Sequence, residues 1–307
     1  MNKLINKVIK DISSKDINLK KNYKIIRGLQ DVLNPSFLYK KEYEDVVVDL
    51  SLRKIICRVF KTNKETKKNK VIIYIHGGGW VTGSIDSYTK TCMELSQQTN
   101  RVVISIDYRL APEYPYPAGF NDCYDIVKLF MENLNELGLH KEDICLMGDS
   151  AGGNLVTAIS LRATKERTFK VKEQILLYPA LQGDYTNTTK YKSVIEKGQD
   201  YLLTQKQLQD YISLYVQDKE DLKSIYVSPL NKKILFNQPR TLIITCDNDP
   251  LRDEGKAYAK KLKLYFNDVE YYNLDGAIHG VFNNPIDKKY RNIIFDRIKR
   301  FLGDNNE

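Results

Sequence analysis

The feature that most constrains this chain is a set of short runs that stay apolar along their length. Val71–Ile75, Val102–Ile106, Ile144–Met147, Gln174–Tyr178 and Leu242–Cys246 are mostly of this kind, and Val269–Asn273 follows them. A strand with one wet face alternates apolar and polar residues; a strand covered on both faces does not. Stretches of helical spacing separate the runs. The pattern predicts an α/β fold in which helices flank a largely parallel sheet. Two earlier runs, Val46–Asp49 and Ile55–Phe60, bring the strand count to eight and fit an antiparallel edge hairpin.

Two stretches break the alternation. Residues 1–44 and about 181–236 carry helical patterning outside the sheet and fit a single helical cap. The core is then residues 45–180 together with 237–307. At the N-terminus Leu4, Ile5, Val8, Ile9 and Ile12 repeat at helical spacing, an amphipathic helix rather than a signal peptide.

Charge and cysteine content narrow the function classes. The 48 basic and 39 acidic residues leave a net +9, but lysine is spread along the chain and no nucleic-acid motif accompanies it. The densest patch, Lys61–Lys70, reads as a solvated hairpin loop. No segment approaches the roughly 18 apolar residues that would cross a membrane. The five cysteines form no CxxC pair, which fits reduced thiols in the cytoplasm. With three histidines and no paired cysteines there is no metal cage, and no cofactor motif is present.

Two glycine-rich strand exits carry chemistry. The fifth run leads into Gly148-Asp149-Ser150-Ala151-Gly152 and then a helix. A serine flanked by small residues between strand and helix can occupy a sharp turn that presents its hydroxyl above the sheet. Such a hydroxyl needs a base. His140 precedes the fifth strand, so a strand of about six residues puts it roughly 20 Å from Ser150. His76 opens the other glycine run, leaving His279, just past the last strand, as the base. An imidazole base needs a carboxylate to orient it. Asp247, Asp249 and Asp253 follow the seventh strand. Asp249 precedes Pro250, which favours an extended backbone at the strand exit, and is the first choice, with Asp247 the alternative. The order serine, aspartate, histidine is that of α/β-hydrolases.

The third strand ends in His76-Gly77-Gly78-Gly79. Backbone amides aimed at an oxyanion are worth about 3–4 kcal/mol each, and a loop offering them inward has no room for side chains. This run and the Ala151 amide fit that role, with His76 bracing the loop.

The motifs "HGGGW", "DYRLAPEYPYPAGFND", "GDSAGGNL", "YVSPL" and "DPLRDEG" stand in that order. With them the chain resembles the hormone-sensitive-lipase-like carboxylesterases, bacterial family IV of the α/β-hydrolase fold, over most of its length after about residue 45. The resemblance implies a metal-free serine esterase with Ser150, Asp249 and His279 as triad. It also implies Gly78, Gly79 and Ala151 as oxyanion donors, Gly77 as a loop-shaping residue, and a cap over the pocket. Trp80, Val281 and Phe282 are pocket candidates; Val281 stands where the family usually has Phe. The expected partner is a small ester, with no nucleic acid and no membrane, and a homodimer is compatible with the chain. An amidase, formamidase or deacetylase on the same triad, or a non-catalytic binding protein, are the rival readings.

Overall fold

The structure, a computed structural model, describes residues 18–62, 70–284 and 288–303. The eight strands are β1 (Tyr43–Asp49), β2 (Lys54–Phe60), β3 (Val71–Ile75), β4 (Val102–Ile106), β5 (Ile144–Asp149), β6 (Glu173–Leu177), β7 (Arg240–Asn248) and β8 (Val269–Ile278). They form one sheet in the order β1-β2-β4-β3-β5-β6-β7-β8. β1 and β2 pair antiparallel, as do β2 and β4; the other neighbours are parallel.

Burial on both faces explains the unbroken apolar runs. β3 and β5 are buried at every residue. Ile73, Ile75 and Leu146 point into a core shared with the helices Ala118–Glu132, Ala151–Glu166 and Arg252–Leu264. Ile72, Tyr74, Cys145 and Met147 point the other way, into a core shared with the helices Thr89–Thr99 and Lys288–Phe301. Each such aliphatic side chain contributes about 1.5–3 kcal/mol when fully buried. The edge strand β1 has no buried residue.

One expectation is corrected. The connection carrying Lys61–Lys70 is not a hairpin, because β4 lies between β2 and β3 and pairs with both. Residues 63–69 of that patch, and the helix expected through Leu4–Ile12, lie outside the described residues.

Helix Leu19–Leu33 packs on helix Gln205–Tyr215 of the 181–236 segment, and Lys20 faces Asp210 across them at 3.7 Å. Thr204 caps the second helix in a reciprocal pair with Gln207, the Thr-x-x-Gln pattern that satisfies two otherwise unbonded amides. Among the described residues no helix is long and apolar enough to cross a membrane.

Candidate active site

Ser150 is the single residue between the end of β5 and the start of helix Ala151–Glu166. Its backbone sits at φ 54°, ψ −119°, a conformation that costs an L-residue on the order of 1–3 kcal/mol. Hydrogen bonds hold it there. Its amide donates to Leu177 O at 2.8 Å, and its carbonyl accepts from Asn154 and Ala180, each at 3.1 Å. The turn also needs small neighbours: a Cβ on Gly152 would overlap the Ile75 carbonyl at the end of β3.

His279 is the first residue after β8. Its Nε2 lies 2.9 Å from Ser150 Oγ and its Nδ1 lies 2.8 Å from Asp249 Oδ2. With the serine hydroxyl donating to Nε2, the ring proton sits on Nδ1 and is donated to the carboxylate. Asp249 is fully buried, and its Oδ1 accepts the Leu251 amide at 2.8 Å. Asp247 bonds Arg252 instead, and Asp253 accepts the Ser193 amide. His140 is exposed at the start of a 3₁₀ turn before β5. A serine, an imidazole and a buried carboxylate in this line can transfer the serine proton while keeping the imidazolium compensated.

The glycine loop lies alongside. Gly78 and Gly79 take φ of +116° and +61°, where a side chain is strained. The Val81 and Thr82 amides both donate to Gly78 O, at 3.1 and 2.8 Å. Because a trans peptide points its C=O and N–H in opposite directions, the Gly79 amide faces away from that turn. Ala151, as first residue of its helix, has an amide without an intrahelical acceptor. All three residues line one cavity with Ser150 and His279, about 490 Å³ in volume.

His76 braces this loop. It is fully buried, bonds Gly77 O through Nδ1 at 2.8 Å and stacks on Tyr108 at 4.4 Å. Burial drives its pKa down to about 4 against the opposing bond to Gly77, so the ring is neutral and donates.

Trp80 lines the cavity and stacks on Tyr215 at 4.5 Å. Val281 and Phe282 do not line it, and their expected place in the pocket wall is corrected. After Gly280, whose φ is +79°, both turn back into the core. The Phe282 ring meets Phe295 at 5.2 Å. Gly280, Asn283 and Asn284 face the cavity instead.

Sequence reading missed two contributors, Asp149 and Gln30, and placed a third, Tyr211, only among the tyrosines of the cap. Asp149, next to Ser150, is buried, and its Oδ1 accepts Tyr74 Oη at 2.8 Å and the Gly77 amide at 2.9 Å. Its Oδ2 accepts Tyr88 Oη at 3.0 Å. Burial pushes this carboxyl up, opposed by those three bonds and by the nearby His279. The available signal was a carboxylate at a buried strand end, which needs built partners. Tyr211 lies so close over Gly79 that a Cβ there would overlap its ring, and Gln30 reaches the cavity from helix Leu19–Leu33.

A family model described as alpha/beta hydrolase fold matches residues 72–283. The chain is 34% identical over 245 residues to an arylesterase of Saccharolobus solfataricus, spanning 80% of this chain and 78% of that one. It is 30% identical over 295 residues to an arylacetamide deacetylase of Bos taurus, spanning 76% and 74%. Among solved structures it is similar to a hyperthermophilic esterase from the archaeon Pyrobaculum calidifontis, with a TM-score of 0.84 at 30% identity over 99% and 98% of the two chains. With that match over most of its length and the two glycine-rich strand exits side by side, the chain belongs to the hormone-sensitive-lipase-like family of the alpha/beta hydrolase fold.

Proposed function

We propose that this protein is a serine carboxylesterase acting on small, short-chain acyl esters. The observation that carries the reading is the line Ser150–His279–Asp249, with steps of 2.9 and 2.8 Å, whose Ser150 and His279 line the cavity. Ser150 Oγ attacks the ester carbonyl as its proton passes to His279 Nε2. The amides of Gly78, Gly79 and Ala151 take the oxyanion. Collapse of the tetrahedral species expels the alcohol, which receives the proton from His279. Water then enters, gives its proton to the same nitrogen and hydrolyses the acyl-serine. Asp249 holds the imidazole tautomer and stabilises the imidazolium throughout.

Helix Leu19–Leu33 and the 181–236 segment act as the cap. Leu33, Leu203, Leu208 and Tyr211 line the cavity from this side, a modest apolar lining that supports acyl groups of about two to six carbons, each buried methylene adding about 0.8 kcal/mol until the space is full. The five free, buried cysteines favour a reducing, cytoplasmic setting.

The test is Ser150→Ala with a phosphonate ester as trap. Activity on p-nitrophenyl butyrate should drop by about 10⁴ or more, and the adduct mass on the wild type should map to Ser150. A folded Ser150→Ala protein that keeps its activity removes the assignment. Amide hydrolysis is the second reading, favoured by the similarity to a deacetylase. Comparing an aryl ester with its matched anilide decides between them.

A further inference from the structure

Helix Leu19–Leu33 is fastened to the core mainly by polar side chains. Ile25, Leu29, Val32 and Leu33 are 62%, 55%, 74% and 76% exposed, and Leu19 is its one buried residue. The principal fastener is Arg27. Its Nε donates to Val81 O at 2.7 Å and its Nη2 to Ala111 O at 2.8 Å. The same guanidinium grips both Glu113 oxygens, at 3.1 and 2.9 Å. One turn on, Gln30 Oε1 accepts the Gly83 amide at 3.0 Å and Asp31 accepts the Ser84 hydroxyl at 2.7 Å.

These bonds land on the far end of the glycine loop. Val81 and Thr82 donate to Gly78 O, so wherever Val81 is held, the peptide plane joining Gly78 to Gly79 is held with it. Ala111, the other carbonyl that Arg27 takes, donates its amide to Trp80 O at 2.9 Å. One planar fork thus ties the helix to two neighbouring loops at once, a task the point charge of a lysine cannot copy.

We propose that Arg27 is a positioning residue: by holding Val81 it directs the Gly79 amide, and the N-terminal helix is thereby part of the oxyanion machinery as well as a cover. The inference rests on Ser150 as nucleophile and the glycine amides as oxyanion donors.

The test compares Arg27→Ala, Arg27→Lys and Glu113→Gln with the wild type in steady-state hydrolysis of p-nitrophenyl butyrate, alongside phosphonate titration of Ser150. Loss of an oxyanion donor costs about 10²–10³ in kcat, so misdirecting donors that remain should cost about tenfold. Arg27→Ala should lower kcat by that amount with KM within about twofold, and added guanidinium ion should restore part of the loss without speeding the wild type. Arg27→Lys should lose several-fold. Glu113→Gln, which leaves both carbonyl bonds of Arg27 in place, should keep kcat within about twofold. An unchanged kcat in Arg27→Ala, or an effect confined to KM, overturns the inference. Should Arg27→Ala not fold, the other two variants decide: equal losses in Arg27→Lys and Glu113→Gln would credit the ion pair rather than the loop and also overturn it. Failure of the wild type to label at Ser150 would instead remove the reading underneath.

Discussion

The loop from Gly77 to Gly83 is gripped from two sides that differ in kind. On the inner side Asp149, Tyr74, Tyr88 and His76 are all buried, and their bonds to one another and to Gly77 are shielded from water. On the outer side Arg27, Gln30 and Asp31 make bonds of similar length from a helix that is largely exposed. The lengths hide the difference. A buried bond whose partner is removed leaves an unsatisfied group, at about 1–3 kcal/mol or more for a charge. An exposed bond is exchanged with water, and an exposed ion pair contributes about 0–1 kcal/mol. Only the Arg27–Glu113 pair and the Asp31–Ser84 bond are exposed in this sense, so the outer grip rests on the part-buried bonds of Arg27 and Gln30, while under the proposed mechanism the inner grip serves stability and catalysis together.

The predictions probe that contrast. The largest effect belongs to the line Ser150–His279–Asp249, proposed to carry the proton beside the gripped loop. Asp249→Asn should lower kcat by about 10⁴, because the amide favours the wrong imidazole tautomer. Asp247→Asn, which only loosens Arg252, should cost far less. Steady-state rates that rank the two the other way would move the acid to Asp247.

Next comes the inner grip. Asp149→Leu deprives Gly77, Tyr74 and Tyr88 of their shared acceptor, and kcat should fall by about 10²–10³, the scale of a lost oxyanion donor, with a lower Tm. Asp149→Asn keeps an acceptor for the Gly77 amide and should lose much less. Equal losses in the two variants would show that charge, and not the bond to the loop, is what the site needs.

The inner grip also predicts a pH effect on stability. Folding depresses the His76 pKa from 6.5 to about 4. For a base depressed on folding, the unfolded chain takes up protons first. Stability from this residue is therefore complete above pH 6.5 and declines as pH falls towards 4. The total is up to about 3 kcal/mol at 1.36 kcal/mol per pKa unit. Tm followed from pH 7 to 4 should fall less steeply in His76→Gln than in the wild type; parallel slopes would exclude His76 as the source.

The smallest effect belongs to the cap helix that packs beside the outer grip. Tyr211 covers Gly79 from helix Gln205–Tyr215 and lines the cavity. Tyr211→Ala should move the kcat/KM optimum for p-nitrophenyl esters to longer acyl chains, gaining about several-fold per added carbon that finds room. An unchanged chain-length profile would mean that the acyl group lies elsewhere in the cavity.

What the sequence determined by itself is what local pattern encodes. Runs apolar along most of their length specify strands covered on both faces, and all eight strands were legible, seven with ends within three residues and β8 with its last five residues missed. The glycines of Gly148-Asp149-Ser150-Ala151-Gly152 announced a turn too tight for side chains, since the steric limits involved act between near neighbours. Only three histidines, one at the wrong end of a strand, left few ways to pair Ser150 with a base. Tertiary structure decided what depends on distant partners. β4 came between β2 and β3, because strand pairing is set by sheet assembly and not by adjacency in the chain. Val281 and Phe282 went into the core because Gly280 turns them inward against Phe295. Asp149 and Arg27 look like ordinary charged residues in sequence. Their partners lie as far away as Tyr74, 75 residues before Asp149, and Glu113, 86 residues after Arg27. A polar side chain gains direction only when packing brings a specific donor or acceptor within about 3 Å of it, and no local period records that meeting.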